Sequence, residues 1–449
     1  MALRTEIAIL GAGPAAAAAA CALRRLGHEV LLIGVAGNAT VEGVSARTLT
    51  LLCEYGLDAA AGSVCGPGER VGSWAGVDLA GHSEYIAQRA ELDRALLADV
   101  ASSGAVICAE RVIRYERLGA LWRAHTERQQ VDCRVIVDAR GRRAQRGSCK
   151  GPDLIAVCQR LRTRNTGRAF TRVEAAAQGW CWLAEDGCGT GWLQVTSAAG
   201  EPSLRQGLKE HMRRLLATAP PLAAHLSGAI AIGTPIARAA TPSLCAQPGG
   251  AGLIRAGDAS VALDPLSGQG MYEALRSIAA VTGAVRGSLC GESAAVMRFL
   301  DDRARELWQR GSLKAAHLYG QQADSTPSPF WSETAARYRS LQPPLPAPAE
   351  ASIEPRPVLN GSRIELRRVV VTPQTPRGVW KVDAVDLAEL IDFLRAGRTL
   401  NVERAAQHFS CAPRAVAHAM QWLSARGLLE SAAAAGHTAP QPLTANRAD

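Results

Sequence analysis

Glu6–Leu10, apolar from Ile7 onward, is a run closed by glycines at positions 11 and 13. It is too short for a helix and predicts a buried strand. The small-residue stretch "PAAAAAACALRRLG" that follows predicts a helix, and "HEVLLIG" a second buried strand. The result is a βαβ unit. With Arg4 ahead of it and Cys21 near its end, the same stretch has the outline of a secretory signal. A leader peptide has no reason to continue into a crossover helix and a second strand, so βαβ is preferred. Further on, residues 41–57 and 86–100 each predict a turn entering an amphipathic helix, and "RVIVDARGRRA" (134–144) a strand ending in a tight loop. Residues 172–195 predict two or three strands, with Trp180 and Trp182 on one face.

The C-terminal quarter changes character. "SLQPPLPAPAEASIEPRP" is rich enough in proline to predict a linker, placed at 341–357. Beyond it, 358–435 predicts two short strands followed by helix, helix, turn and longer helix, the order of a winged-helix unit. Residues 436–449 predict a flexible tail.

Composition narrows the class of protein. The chain has 449 residues and a net charge of +9, but only four lysines (Lys150, Lys209, Lys314, Lys381), so arginine carries the charge. That balance gives a modest preference for acidic partners. Twelve cysteines lie without any CxxC or CxxH pair. This argues against zinc sites and disulfide scaffolds and predicts a cytoplasmic protein holding no metal. No apolar stretch is long enough to cross a bilayer, so no membrane partner is expected.

The chemistry begins at the first glycine turn. Gly11, Gly13 and Ala16 occupy the small positions of a GxGxxG/A fingerprint: a tight turn, an amide approach to a pyrophosphate, and a close helix–sheet contact. The acidic residue that usually follows the second strand is replaced by Gly34. A second constellation lies in "GLIRAGDASVALDPLSGQGMYEALRSI" (252–278). There a strand ends at Gly257, Asp258 offers an acceptor for a polyol hydroxyl, and Pro265 stiffens a loop. Gly268 and Gly270 then expose amides at a helix start, where negative charge is stabilised.

On these stretches the sequence resembles the group A flavoprotein monooxygenases and their halogenase and reductase relatives; GD followed by DPxxGxG matches that superfamily's second FAD motif. The resemblance implies an α/β fold: a Rossmann-like FAD domain interleaved with a β-sheet substrate domain over 1–340, the latter drawn from about 60–90 and 155–245. It implies that Arg89 touches the flavin or its linker, that Arg47 lies at a cofactor-proximal turn, and that Asp138 and Gly141 form the loop against the first FAD strand. It also implies FAD as cofactor, with O2 and with NADH, NADPH or a separate reductase as electron source, since no second GxGxxG is present. Hydroxylation of an aromatic ring would then proceed through a flavin C4a-hydroperoxide. No protein nucleophile is needed; His82 as general base and Trp180 as part of the site wall are the catalytic candidates.

The absence of lysine before Lys150 and of a WxWxIP signature argues against halogenation, and "GWCWLAED" departs from the YxWxFP pattern of geranylgeranyl reductases. Over residues 1–345 the sequence is similar to the flavoprotein monooxygenases of cysteine tryptophylquinone biogenesis. That similarity implies a polypeptide substrate, the precursor of a quinone-bearing subunit, acting with other maturation proteins. A small-molecule hydroxylase or a geranylgeranyl-reductase-like enzyme is the alternative, and a flavin-sensing DNA-binding regulator a second. Five acids and five arginines over 386–430 leave no net charge for a phosphate backbone, so no nucleic-acid partner is expected.

Overall fold

In the computed structural model, residues 3–37, 40–78, 82–144, 149–341, 348–396 and 401–429 are described. Two compact units are present: Met1–Pro344 with Leu359–Ile364, and Leu345–Val358 with Glu365–Asp449.

The first unit runs β1 (Leu3–Leu10), α1 (Pro14–Arg25), β2 (Val30–Ile33), β3 (Val41–Val44), α2 (Ala46–Glu54), α3 (Asp58–Gly62), β4 (Cys65–Trp74), β5 (Val77–Asp78), β6 (His82–Gln88) and α4 (Arg89–Ser102). Next come β7 (Val106–Cys108), β8 (Val112–Leu118), β9 (Leu121–Thr126), β10 (Gln130–Asp138), β11 (Cys149–Lys150), β12 (Leu154–Arg162), β13 (Phe170–Ala176), β14 (Gly179–Glu185) and β15 (Thr190–Ala198). It continues with α5 (Leu208–Ala217), α6 (Pro220–His225), β16 (Ile230–Ala239), β17 (Ser243–Leu244), β18 (Gly249–Gly250), β19 (Leu253–Arg255) and β20 (Val261–Ala262), and closes on α7 (Gly270–Arg276), α8 (Ile278–Leu289), α9 (Ser293–Ser325) and α10 (Pro329–Arg339).

Two sheets organise it. The first has the order β18-β19-β10-β1-β2-β7, with β19, β10, β1, β2 and β7 parallel. Parallel strands are covered on both faces, which is why β1 and β2 read as unbroken apolar runs. Ala15 to Ala20 of α1 are all buried, and their small side chains let the helix lie close on this sheet. The second sheet, of nine strands, has the order β16-β12-β15-β14-β13-β4-β6-β3, with β5 on β4. Its strands come from two separated stretches, 41–88 and 154–239. One face is packed by Met212 and Leu215 of α5 and Leu222 of α6. The other carries an aromatic cluster shared with α9 and α10.

Two predicted boundaries differ. Residues 41–44 form a strand rather than a turn, because Val41 and Val44 are buried and pair with Gln88 and Tyr85 of β6. For the same reason residues 86–88 finish a strand before the helix begins at Arg89.

The second unit contains most of β21 (Ser352–Asn360) and of β22 (Arg363–Thr372), whose facing ends at Leu359–Ile364 count with the first unit, together with β23 (Thr375–Val379), β24 (Lys381–Val382) and β25 (Val385–Asp386), then α11 (Leu387–Arg395), α12 (Val402–His408) and α13 (Pro413–Ser424). The expected linker at 341–357 is therefore shorter, since β21 starts at Ser352. Pro355 and Pro357 are tolerated because β21 is the edge of a three-stranded sheet, where a missing N–H breaks no ladder. The three helices bury Leu390, Phe393, Val416 and Leu423 in one core. Asp386 and Asn401 cap α11 and α12 by accepting from backbone amides at 2.9–3.1 Å. Residues 342–347 and the expected tail at 436–449 lie outside the described residues.

Candidate flavin site

The carboxyl ends of β2, β1, β10 and β19 come together, and the loops that leave them lock to one another. Gly11 N–H donates to Ile33 O at 2.8 Å, Ala139 N–H to Leu10 O at 2.8 Å, and Ala256 N–H to Asp138 O at 3.0 Å. In an open α/β sheet, this is where ligands bind. Gly11 has φ +121°, and a Cβ there would lie 2.5 Å from the carbonyl oxygen of Ala139. The missing acid after β2 also has a steric reason. A Cβ on Gly34 would lie 2.6 Å from the carbonyl carbon of Gly11, so no side chain fits.

Gly13 is the N-cap of α1, with Pro14 in the first turn and no side-chain cap. The first-turn amides thus keep their donors for a ligand. The space a Gly13 Cβ would enter is faced by Arg89 Nη2, at 3.5 Å.

Arg89 opens α4 and organises the charges of the crevice. It donates to Glu42 Oε1 at 2.6 Å and to Asp93 Oδ1 at 3.0 and 2.8 Å. Burial works against its charge, but Glu42 and Asp93 outweigh burial and hold its pKa above the ordinary arginine range. Asp93 is pushed up by burial and pulled back by Arg89. Asp258 sits on the 3₁₀ turn Gly257–Ala259 after β19, 3.4 Å from Arg142 Nε. A Cβ on Gly257 would lie 3.1 Å from that of Ala15 and 3.3 Å from that of Ala274, so this turn wedges between α1 and α7.

The remaining predicted residues fall in three places. Asp138 is fully buried and held by Arg140 at 2.9 and 2.8 Å and by the Tyr115 hydroxyl at 3.2 Å. It fixes the loop against Gly11. Gly141, with φ +65°, follows in that loop. Arg47 is exposed on the first turn of α2, and the structure does not bring it into the Arg89 network. Pro265 opens a 3₁₀ turn, Gly268 ends it at φ +62°, and Gly270 starts α7 without a side-chain cap. The Cβ positions of Gly268 and Gly270 meet nothing within 4 Å, which leaves the α7 amides accessible.

On the substrate side, Asp264 joins this loop to the aromatic cluster. It accepts from Leu266 N–H at 2.8 Å and from the Tyr338 hydroxyl, and burial pushes its carboxyl pKa up. Trp180 is 3 % exposed and donates to the Tyr319 hydroxyl at 3.3 Å. Trp74 and Trp331 meet edge to face at 5.3 Å. Trp180 is therefore a member of the buried aromatic cluster. His82 lies on β6 opposite Arg70; its side chain is outside the described residues. Glu42, Tyr319 and Tyr338 join this network from outside the motifs, whereas Arg142 and Asp264 belong to the "DARGRR" and "DPLSGQG" stretches themselves. Glu42 lies 47 positions from Arg89, and the two tyrosines stand on helices that carry no motif.

The residues fit FAD: two uncapped helix starts with glycines where a Cβ would fill the cradle, a carboxylate for the ribityl chain, and a buried arginine between them. Desolvation raises the Asp258 pKa above the ordinary carboxylate value, with Arg142 and Arg89 pulling it back. A ribityl hydroxyl donates best to the ionised form. FAD affinity is therefore expected to fall as pH drops through that raised pKa, at a higher pH than an ordinary aspartate would give. Asp258→Asn should lower affinity roughly 10- to 100-fold at neutral pH, about the strength of a hydrogen bond to a charged group, and flatten the profile. Fluorescence titration of apoprotein with FAD across pH checks this; an unchanged slope in the variant would remove Asp258 from the site.

No protein-family profile and no curated protein matches the chain. Solved structures do. The chain is 29% identical to the "peptidyl tryptophan dihydroxylase QhpG essential for tryptophylquinone cofactor biogenesis", with TM-score 0.80, covering 95% of this chain and 100% of that one. The flavin-dependent halogenase CmlS superposes with TM-score 0.74 at 16% identity, covering 95% of both chains. p-Nitrophenol 4-monooxygenase PnpA of Pseudomonas putida DLL-E4 superposes with TM-score 0.57 at 15% identity, over 76% of this chain and 95% of that one. The 76% of this chain is about the size of the first unit. Fold, cofactor cradle and likeness agree: the chain has the group A flavoprotein monooxygenase fold, with residues that fit FAD.

Proposed function

We propose that this enzyme hydroxylates, once or twice, the indole ring of a tryptophan in a partner polypeptide, as a step in building a tryptophylquinone cofactor in the cytoplasm. The observation that carries this reading is the likeness to the peptidyl tryptophan dihydroxylase, which extends over the whole of that protein and includes the second unit. The lack of any lysine in the first third of the chain favours oxygen transfer over halogen transfer.

Bound FAD, reduced by NADH, NADPH or a separate reductase, supplies with O2 an electrophilic oxygen for an electron-rich ring. The chain's own residues bind and orient. The α1 amides would take the pyrophosphate, with Arg89 Nη2 facing the same space, and Asp258 would accept from the ribityl chain. The α7 amides would stabilise negative charge on a reduced ring bound there. Asp264, held by Tyr338, fixes the loop that presents those amides, and Trp180, Trp74 and Trp331 form a wall that excludes water. The substrate partner is the precursor of a quinone-bearing subunit, accompanied by its other maturation proteins.

Intact-mass analysis of that precursor, before and after incubation with the enzyme, FAD, a nicotinamide donor and air, tests the reading. A gain of one or two oxygen atoms mapped to tryptophan is expected. An unchanged mass, with flavin bound and reducible, would overturn it in favour of a small aromatic substrate.

A further inference from the structure

We infer that β16 is the docking edge for an extended, acidic segment of the polypeptide substrate, which adds to the nine-stranded sheet as a further strand. This rests on the proposed polypeptide substrate and names where and how it is held.

β16 is an edge strand of that sheet and pairs only with β12 among the described residues. All ten of its residues are exposed or half-buried, including Ile230 at 58 % and Ile232 at 37 %. Such an edge presents unpaired N–H and C=O groups together with apolar side chains, the elements that capture an extended peptide. Unguarded edges also pair with copies of themselves, and proteins limit this with bulges and prolines. β16 has both. Its register against β12 shifts around Gly233, which has φ +72°, and Pro235 follows. The edge is thereby divided into short halves, 230–232 and 236–239. Each suits a short guest segment rather than a long self-paired ladder.

Charge selects the guest. Arg162 pairs across from Ile230, and the Arg164 guanidinium lies 2.9 Å from where a Gly228 Cβ would stand. At the other half, Arg238 belongs to β16 itself. Lys209 shares with Thr234 and Pro235 a groove of about 570 Å³. These four cations are exposed and make no ion pair or side-chain hydrogen bond among the described residues. Glu210, the one carboxylate lining the groove, is taken by Arg213 and Arg214 at 2.7–2.8 Å. Unpaired positive charge along an open edge steers and holds an acidic chain.

The test is hydrogen–deuterium exchange of the FAD-loaded full chain with and without the tryptophylquinone-subunit precursor. It is paired with binding titrations of Lys209→Glu/Arg238→Glu and, separately, Ile232→Asp. Slowed exchange over 230–239 is expected. Binding by the charge-reversed variant should be roughly tenfold weaker at low salt, with the difference shrinking as the Debye length contracts. Ile232→Asp should weaken binding too, and both variants should keep their full flavin content. If the precursor gains oxygen but β16 exchange is unchanged and the variants bind like wild type, docking at β16 is overturned while the proposed reaction stands. If the wild-type enzyme neither binds nor oxidises the precursor, both fall together.

Discussion

Arg89→Ala is expected to leave the enzyme without bound flavin and to lower its unfolding free energy by about 3–5 kcal/mol, the usual cost of removing one partner from a buried charge pair. The side chain is only 14 % exposed, and its partner Asp93 only 7 %. Alanine would leave that carboxylate ionised, buried and without its cation. The pH dependence follows. Burial already holds the Asp93 pKa above its ordinary value, and Arg89 is the largest influence pulling it back. Without Arg89 the folded-state pKa rises further above the unfolded one. The destabilisation is then full at pH above the folded pKa and is relieved as pH falls through it. Asp93→Asn in the Arg89→Ala background should therefore recover much of the stability, but not the flavin, because the cation facing Gly13 is still missing. Urea unfolding across pH and the flavin-to-protein absorbance ratio separate the two effects. Arg89→Ala enzyme isolated with a full complement of FAD would contradict this account.

Part of this arrangement is legible in the sequence, for a physical reason. The β1–α1 turn and the Asp258–Gly270 stretch are local. Each is a strand end, a set of glycines and a helix start in continuous sequence, so spacing alone reports the geometry. What is not legible is built from distant segments. β3 is four residues long and is a strand because β6 pairs with it. A Cβ on its Gly43 would lie 2.4 Å from Glu84 Oε1, so a larger residue there would have to displace the Glu84 side chain. Glu42 earns its place in the site through Arg89 alone. Tyr319 and Tyr338 face Asp264 from α9 and α10, where an isolated tyrosine reads as ordinary core. Trp180 shows the converse: the alternation of Trp180 and Trp182 correctly reports a sheet face, but the face packs on helices that the strand sequence says nothing about. Arg47, placed by family pattern alone, stands exposed, with no link to the charges around Arg89.

Gly11 and Gly13 look equivalent in the fingerprint, yet alanine at each is expected to fail differently. At Gly11, φ +121° lies where residues with a Cβ are strained, at a cost of about 1–3 kcal/mol. The added methyl would also stand 2.5 Å from the Ala139 carbonyl oxygen, and backbone rather than a flexible side chain would have to give way. Because that carbonyl belongs to the residue whose N–H bonds to Leu10, relief would open the β1–β10 junction itself. Gly11→Ala should lose several kcal/mol of stability even without flavin. At Gly13, φ is −92° and the nearest atom to an added Cβ is Arg89 Nη2 at 3.5 Å, an ordinary contact. Gly13→Ala apoprotein should therefore unfold within about 0.5 kcal/mol of wild type, as substitutions clear of packed features do. Its methyl nevertheless occupies the approach to the α1 amides, where a pyrophosphate must come within hydrogen-bond distance, so FAD affinity should fall at least tenfold. Thermal unfolding of the two apoproteins, followed by FAD titration, gives the comparison. Equal loss of stability in both would mean that Gly13 serves the fold, and that the α1 start is not where the pyrophosphate lies.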